Sequence, residues 1–273
     1  MVKIKSMKLY NNVERIYKEI KEFKKDKTKF LSIQDLIKFD QLHYNGIKAV
    51  DFAIKKTKVR SNKDVLEIGS GIGGPSRYLA YKTKASITAL ELQNDQNKVA
   101  KDLTKRCKLS KFVNHIKGDI LNYNWGNKKF DIIVSWLTLY HIKDRNKLLD
   151  NCNKLIKKNG YFFAEDIISE KKLSINNLNK LSNDLYANYL PTYEQYLIDL
   201  KDKGFKIIYH RNMSNNWSKY VKKRKFSYIK NKDRHIRVHG KNNYKNIRYF
   251  YNVVDKYFSS NKIGGIRIVA KKN

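Results

Sequence analysis

Val65-Leu-Glu-Ile-Gly-Ser-Gly-Ile-Gly-Gly-Pro75 is the stretch whose reading decides the fold. Val65–Ile68 is a short apolar run of the kind that forms a buried strand. Gly69, Gly71 and Gly74 then satisfy G-x-G-x-x-G, where glycine lets the chain turn sharply and approach a bulky ligand closely. Pro75 stands where a helix would begin, at a position that needs no N–H donor. Strand, glycine turn and helix in that order make one βα unit of an open α/β sheet, with its ligand at the carboxyl end of the strand.

Working outward, the pattern repeats. Strands are predicted over 87–92, 112–117, 130–136, 161–165, 205–210 and 266–270, with helices over 94–109 and 144–157. Asn159-Gly160 marks the end of the second of these helices, and Gly264-Gly265 suits a tight turn before the last strand. Upstream, residues 7–56 read as helical, with Val13, Ile16, Tyr17, Ile20 and Phe23 at helical spacing. A second helical piece begins near Ile47, after the turn signal Asn45-Gly46. Alternation of strands and helices implies α/β architecture: one doubly wound, seven-stranded sheet. An N-terminal helical cap covers 1–58, and the sheet domain covers 59–273, with helical inserts after strands five and six at about 168–200 and 212–260.

The bulk properties narrow the setting. Only Cys107 and Cys152 are present, and neither belongs to a metal-ligand cluster, so no disulfide framework and no metal are expected. Met1–Lys8 lacks an apolar core, which argues against a secretory signal, and no stretch approaches the length of a membrane span. A cytoplasmic location follows as the expectation. The formal net charge of +34, from 59 basic and 25 acidic residues, leaves a polyanionic partner open. Lys dominates that excess and is abundant throughout, so a small-molecule partner is favoured over nucleic acid. The oligomeric state cannot be read from the sequence.

Three carboxylates stand around the glycine loop at strand ends. Glu91 closes the second strand, where a carboxylate can accept hydrogen bonds from both hydroxyls of a ribose. Asp119 follows the third strand, where it can accept from an adenine amino group while the N–H of Ile120 donates to a ring nitrogen. Glu67 lies two residues before Gly69. The first feature is shared with nicotinamide enzymes, but no second nucleotide-binding half is visible.

Residues 64–166 resemble class I S-adenosylmethionine (SAM)-dependent methyltransferases, which have a Rossmann-like sheet. The resemblance is to small-molecule N-methyltransferases of the glycine, sarcosine, dimethylglycine and phosphoethanolamine type. It rests on Val65–Pro75, on Ala89-Leu-Glu-Leu-Gln93 and on Trp136-Leu-Thr-Leu-Tyr-His141. Tyr10-Asn-Asn-Val-Glu-Arg-Ile-Tyr17 and Asp40-Gln-Leu-His-Tyr-Asn-Gly46 resemble the lid segments that close over SAM. The resemblance implies SAM as cofactor and a small-molecule methyl acceptor. The contacts implied for the cofactor are Gln41, Tyr44, Glu67, Gly69, Ser70, Gly71, Gly73, Glu91, Leu92, Gln93, Asp119, Ile120, Trp136 and Leu137. Glu67 falls near the positively charged methionine end.

His141 is the candidate base, with Tyr44 in the lid as its partner. An imidazole titrating near neutrality is matched to take the proton of an ammonium acceptor. Tyr140, Tyr186, Tyr189, Trp136 and Trp217 are candidates for the acceptor wall, where aromatic faces attract a methylated ammonium. Three alternatives remain. Sterol C-methyltransferases share the Gly-Gly-Pro variant of the loop, so a carbon or oxygen acceptor on a lipid-like molecule stays open. RNA ribose or cap methylation also stays open, although the Asn/Asp-Pro-Pro-Tyr pattern of base amino-methyltransferases is replaced by Ser135-Trp-Leu-Thr138. A non-catalytic binding role is disfavoured by the intact glycine loop with Glu91 and Asp119.

Overall fold

β1 (Asp64–Ile68) sits inside the sheet, and its residues alternate between two cores. Leu66 and Ile68 enter one apolar cluster, with Leu90, Ile133, Phe162 and Ile266. Val65 enters the other, with Ile87, Ala89, Val134 and Phe163. A strand buried on both faces reads as a continuous apolar run, which is how this one appears in the sequence. The computed structural model describes residue 4 and residues 7–24 and 30–273. Part of the reading of Met1–Lys8, and the helical reading across 25–29, lie outside the described residues.

After the glycine loop come α4 (Gly74–Thr83), β2 (Ser86–Glu91), α5 (Asn94–Arg106), β3 (Val113–Lys117) and β4 (Phe130–Trp136). A short 3-10 turn, Leu139–His141, leads to α6 (Arg145–Leu155) and β5 (Ile156–Ser169). Then follow α7 (Ile175–Leu185), α8 (Tyr193–Asp202), β6 (Phe205–Asn212), α9 (Ser214–Lys230), α10 (Lys232–His239), α11 (Lys241–Ser259) and β7 (Ile263–Lys272). The order across the sheet is β3-β2-β1-β4-β5-β7-β6. The seven strands, the doubly wound order and the helical inserts after strands five and six are those expected.

Two local readings are corrected. β5 begins at Ile156 and runs through Asn159-Gly160, so the glycine lies within the strand and not at the end of a helix. An irregularity in the β4–β5 register accommodates it, and Asn159 takes a positive φ of 63°. Gly264 and Gly265 form no turn before β7. They pair within it, opposite Ile168 and Ile167. A Cβ on Gly265 would lie 2.0 Å from the Trp217 ring, so this glycine is there to let the indole close on the strand. β7 runs antiparallel to both neighbours, β5 and β6, which the alternating pattern alone does not specify.

The N-terminal segment contributes α1 (Arg15–Phe23), α2 (Ile33–Leu36) and α3 (Ile47–Thr57). Ile16 and Ile20 of α1 pack with Leu36 over Ile72 of the glycine loop and Val99 and Leu103 of α5. A fully buried Arg77–Asp40 ion pair at 2.9 Å ties the same segment to α4. Arg224, on α9, donates to the carbonyls of Leu42 and His43 at 3.1 Å each. The N-terminal segment is therefore held from the sheet side by α4 and from the insert side by α9. None of the helices among the described residues is long and apolar enough to cross a membrane.

Candidate active site

The carboxyl ends of β1, β2, β3 and β4 open into one cavity of about 660 Å³. Residues 69–72 of the glycine loop line it. Gly69, at φ +72°, presses on Thr138 so closely that a Cβ would lie 2.1 Å from the threonine methyl. Gly74 lies against the lid, where a Cβ would be 2.3 Å from the Asp40 carbonyl. The third glycine of the motif thus serves lid packing.

Glu91 is buried. Its carboxylate accepts from the N–H of Gly71 and the N–H of Gln93, both at 2.8 Å. These two bonds orient the carboxylate toward the cavity it lines and couple it to the glycine loop. Burial raises its pKa despite them. Asp119 accepts from the N–H of Leu121 at 2.9 Å, and with Ile120 it lines the same cavity. Leu92 forms an exposed apolar lip. Ser70 Oγ, Gln93 Oε1 and Trp136 Nε1 are buried without a partner among the described residues. Buried polar atoms are ordinarily satisfied, so these orphans on one cavity fit a polar ligand between them.

Glu67 is buried with Ser76 Oγ as its hydrogen-bond donor, and burial pushes its pKa up to about 8. At pH 7 the carboxyl is largely protonated. A cationic ligand group beside it favours the ionised form and expels that proton. Binding of SAM at pH 7 should therefore release close to one proton, and Glu67→Gln should abolish the release. Calorimetry in buffers of different ionisation enthalpy reads this directly; no release, or uptake, would remove Glu67 from the cationic end.

Not every residue named from the sequence reaches the cavity. Gln41 lies outside its lining, with its amide donating to Asp40. Gly73 points inward, where a Cβ would lie 2.7 Å from His115 and 2.8 Å from Arg77. Ser70, Gly69, Gly71, Gln93, Trp136 and Leu137 do line it. Leu137 holds a positive φ of 52°, an uncommon conformation for a non-glycine residue, with its N–H donating to the Glu165 carbonyl.

The far side of the cavity is aromatic. His141 is buried, and its Nδ1 lies 2.9 Å from the Tyr186 carbonyl. That contact makes Nδ1 the protonated nitrogen and Nε2 the acceptor. Nε2 has no partner among the described residues. Burial pushes the imidazole pKa down to about 4, so the near-neutral value expected from the sequence is corrected: the ring is uncharged at neutral pH. The turn carrying it is clamped from both sides. Asp166 accepts from the N–H of Tyr140 at 3.1 Å and pairs with Arg145 at 3.3 Å, while Asn188 donates to the His141 carbonyl at 2.9 Å.

Tyr10 is the lid residue that meets His141, edge-on with ring centroids 6.1 Å apart. Tyr44 lines the cavity, but its ring packs on Trp217, Tyr220 and Phe258 at 5.1 to 6.0 Å. Burial raises its pKa, which ill suits a base. Tyr140, Tyr186 and Trp136 line the cavity as expected. Trp217 is completely buried in the insert core, and Tyr189 turns away to Asp199, so neither walls the acceptor space. Tyr10 and Asp166 were missed as site residues; only the position of Tyr10 in the lid-like segment hinted at a role.

Residues 66–164 match the family model for a methyltransferase domain. The chain is 22% identical over 159 residues to a glycine/sarcosine/dimethylglycine N-methyltransferase of Actinopolyspora halophila, covering 58% of this chain and 28% of that protein. It is 24% identical over 194 residues to a phosphoethanolamine N-methyltransferase of Plasmodium falciparum, covering 68% of this chain and 72% of that one. Its fold matches a solved Haemonchus contortus phosphoethanolamine N-methyltransferase at a TM-score of 0.78 and 20% identity, over 85% of this chain and 54% of the other. The chain thus spans about a quarter of the first relative and about half of the solved chain. The resemblance to class I SAM-dependent methyltransferases read from the glycine loop is borne out.

Proposed function

We propose that the chain transfers a methyl group from SAM to a small-molecule acceptor, in the first place an amine nitrogen. The observation that carries this reading is a buried, uncharged His141, its Nε2 without a partner among the described residues, on the cavity that Glu67, Glu91 and Asp119 also line. Glu91 would hold the ribose, Asp119 with the Ile120 N–H the adenine, and Glu67 the cationic end of the cofactor. SAM, when bound, supplies a methyl group on a sulfonium that needs no further activation. What remains for the protein is to align the acceptor, exclude water and let the acceptor's proton leave. His141 would accept a hydrogen bond from the acceptor's ammonium as that proton leaves, and Tyr10, Tyr140 and Tyr186 beside it offer aromatic rings suited to a methylated ammonium. Residues 1–58 act in this reading as the lid and residues 59–273 as the catalytic domain.

Val221, Phe250 and Val254 give the same cavity an apolar wall, which favours a carbon or oxygen acceptor on a hydrophobic molecule as the second reading. A mass-spectrometric screen with SAM, small amines and hydrophobic alcohols or alkenes separates the two. Mass gain on an amine supports the first reading, and gain only on hydrophobic acceptors would replace it with the second.

Asp119→Asn is expected to weaken SAM and S-adenosylhomocysteine by the same factor, because the adenine is common to both. Selective loss of SAM binding in a calorimetric comparison would place Asp119 by the methyl group instead.

A further inference from the structure

Beside the cofactor cavity lies a second one of about 580 Å³, between α1 of the lid and α9, α10 and α11 of the insert. The two share Tyr10, Leu42, Arg224 and Tyr251 among their lining residues. We propose that this second cavity is a binding site for a small oxyanion, a phosphate-bearing molecule, separate from the cofactor and acceptor.

Charge is the first argument. The lining includes Arg15, Lys38, Lys223, Arg224 and Arg234 against a single carboxylate, Glu19. That carboxylate is already engaged: Arg234 donates to both its oxygens, at 2.5 and 3.2 Å, and His239 Nε2 lies 2.6 Å from one of them. Arg15 makes no hydrogen bond or ion pair with any described residue. It is half-buried beside Tyr228 and Tyr251, and burial pulls its pKa below the ordinary arginine value.

Orphaned polar atoms are the second argument. Tyr228 Oη, His235 Nδ1, His239 Nδ1 and Asn243 Nδ2 belong to residues lining this cavity, and all four atoms are buried without a partner among the described residues. Tyr228 and His235 are stacked at 4.0 Å, which fixes both rings. The other ring nitrogen of His239 is held by Glu19, and the amide oxygen of Asn243 accepts from Asn12 at 3.4 Å. Tyr228 Oη, Asn243 Nδ2 and His235 Nδ1 in its N–H tautomer can each donate to one oxyanion, which accepts many hydrogen bonds at once, whereas His239 Nδ1 is the acceptor of a neutral ring whose Nε2 donates to Glu19.

A divalent metal is the competing occupant, since Glu19, His235 and His239 each place a ligand atom within 4.8 Å of the others. His235 and His239 stand one turn apart on α10. Electrostatics decide against the cation. Several guanidinium and ammonium groups line this cavity against one occupied carboxylate, so like-charge repulsion opposes a cation there.

The test is calorimetric titration of the full chain with inorganic phosphate, with S-adenosylhomocysteine absent and then saturating, and separately with Zn²⁺. One phosphate should bind per chain with or without S-adenosylhomocysteine. Arg15→Gln and His235→Gln should each weaken it about tenfold or more, and Arg15→Lys much less. Circular dichroism of the variants confirms folding, and Arg15→Lys keeps the comparison usable should Arg15→Gln fail to fold. Phosphate displaced by S-adenosylhomocysteine would put the anion in the cofactor cavity and overturn the proposal. Affinity indifferent to Arg15 and His235 would reduce it to diffuse binding on surface lysines. Stoichiometric Zn²⁺ binding lost in His235→Gln, without phosphate binding, would give the cavity to a metal.

Discussion

His141→Ala should lower turnover about ten- to a thousand-fold, while SAM affinity changes little. The side chain sits on the clamped turn after β4, with Nδ1 on the Tyr186 carbonyl and Nε2 buried without a partner among the described residues. With its pKa near 4, the ring is neutral across the working range. A pKa that low makes the ring a weak proton acceptor, so its expected part is to accept a hydrogen bond from the ammonium N–H and orient the acceptor while the proton leaves to solvent. This changes the expected pH dependence. The acidic limb of the wild-type profile belongs to the acceptor, because His141 has already lost its charge well below neutrality. The gap between wild type and His141→Ala should then narrow as pH rises toward the amine's own pKa, since a free amine has no ammonium proton to lose. A variant with normal SAM binding and wild-type turnover would show that His141 does not take part. Equal losses of SAM binding, thermal stability and activity, with no recovery at high pH, would make it a loop-ordering residue.

Glu91→Ala should weaken both SAM and its demethylated product by about ten- to a hundred-fold. Losing a charge-assisted acceptor is worth about 1.5–3 kcal/mol, and two ribose hydroxyls would share this one. The variant also strips the acceptor from the N–H groups of Gly71 and Gln93, which loosens the loop itself. Glu91→Gln separates the two effects. Its amide oxygen can still serve a backbone donor, so it should retain more affinity than alanine. Calorimetric affinity unchanged in Glu91→Ala would remove this residue from the cofactor site.

The parts of the site legible in the sequence are those built by local chemistry. Gly69, Glu91 and Asp119 each follow a strand by a fixed, short interval, so identifying the strand places the residue. His141 is legible for the same reason. Roles set by distant contacts were not. Gly265 reads as a turn because nothing nearby announces that Trp217, far upstream in the chain, will press on it. Tyr10 and Tyr44 are equivalent as tyrosines in lid-like segments. Only the folded lid, held by Arg77 and Arg224, brings one to His141 and buries the other among Trp217, Tyr220 and Phe258. Gln41 and Gly73 belong to the right segments but face Asp40 and His115. The pKa of His141 is likewise a property of its burial, which no local pattern expresses.

The central claim is that the cavity above β1, β2 and β3 is a SAM site. Calorimetric titration of the purified chain with SAM, S-adenosylhomocysteine and NADH tests it most directly. The account predicts one site per chain for SAM and for S-adenosylhomocysteine, both weakened in Glu91→Ala, and no binding of NADH. Saturable NADH binding with none for SAM would contradict it.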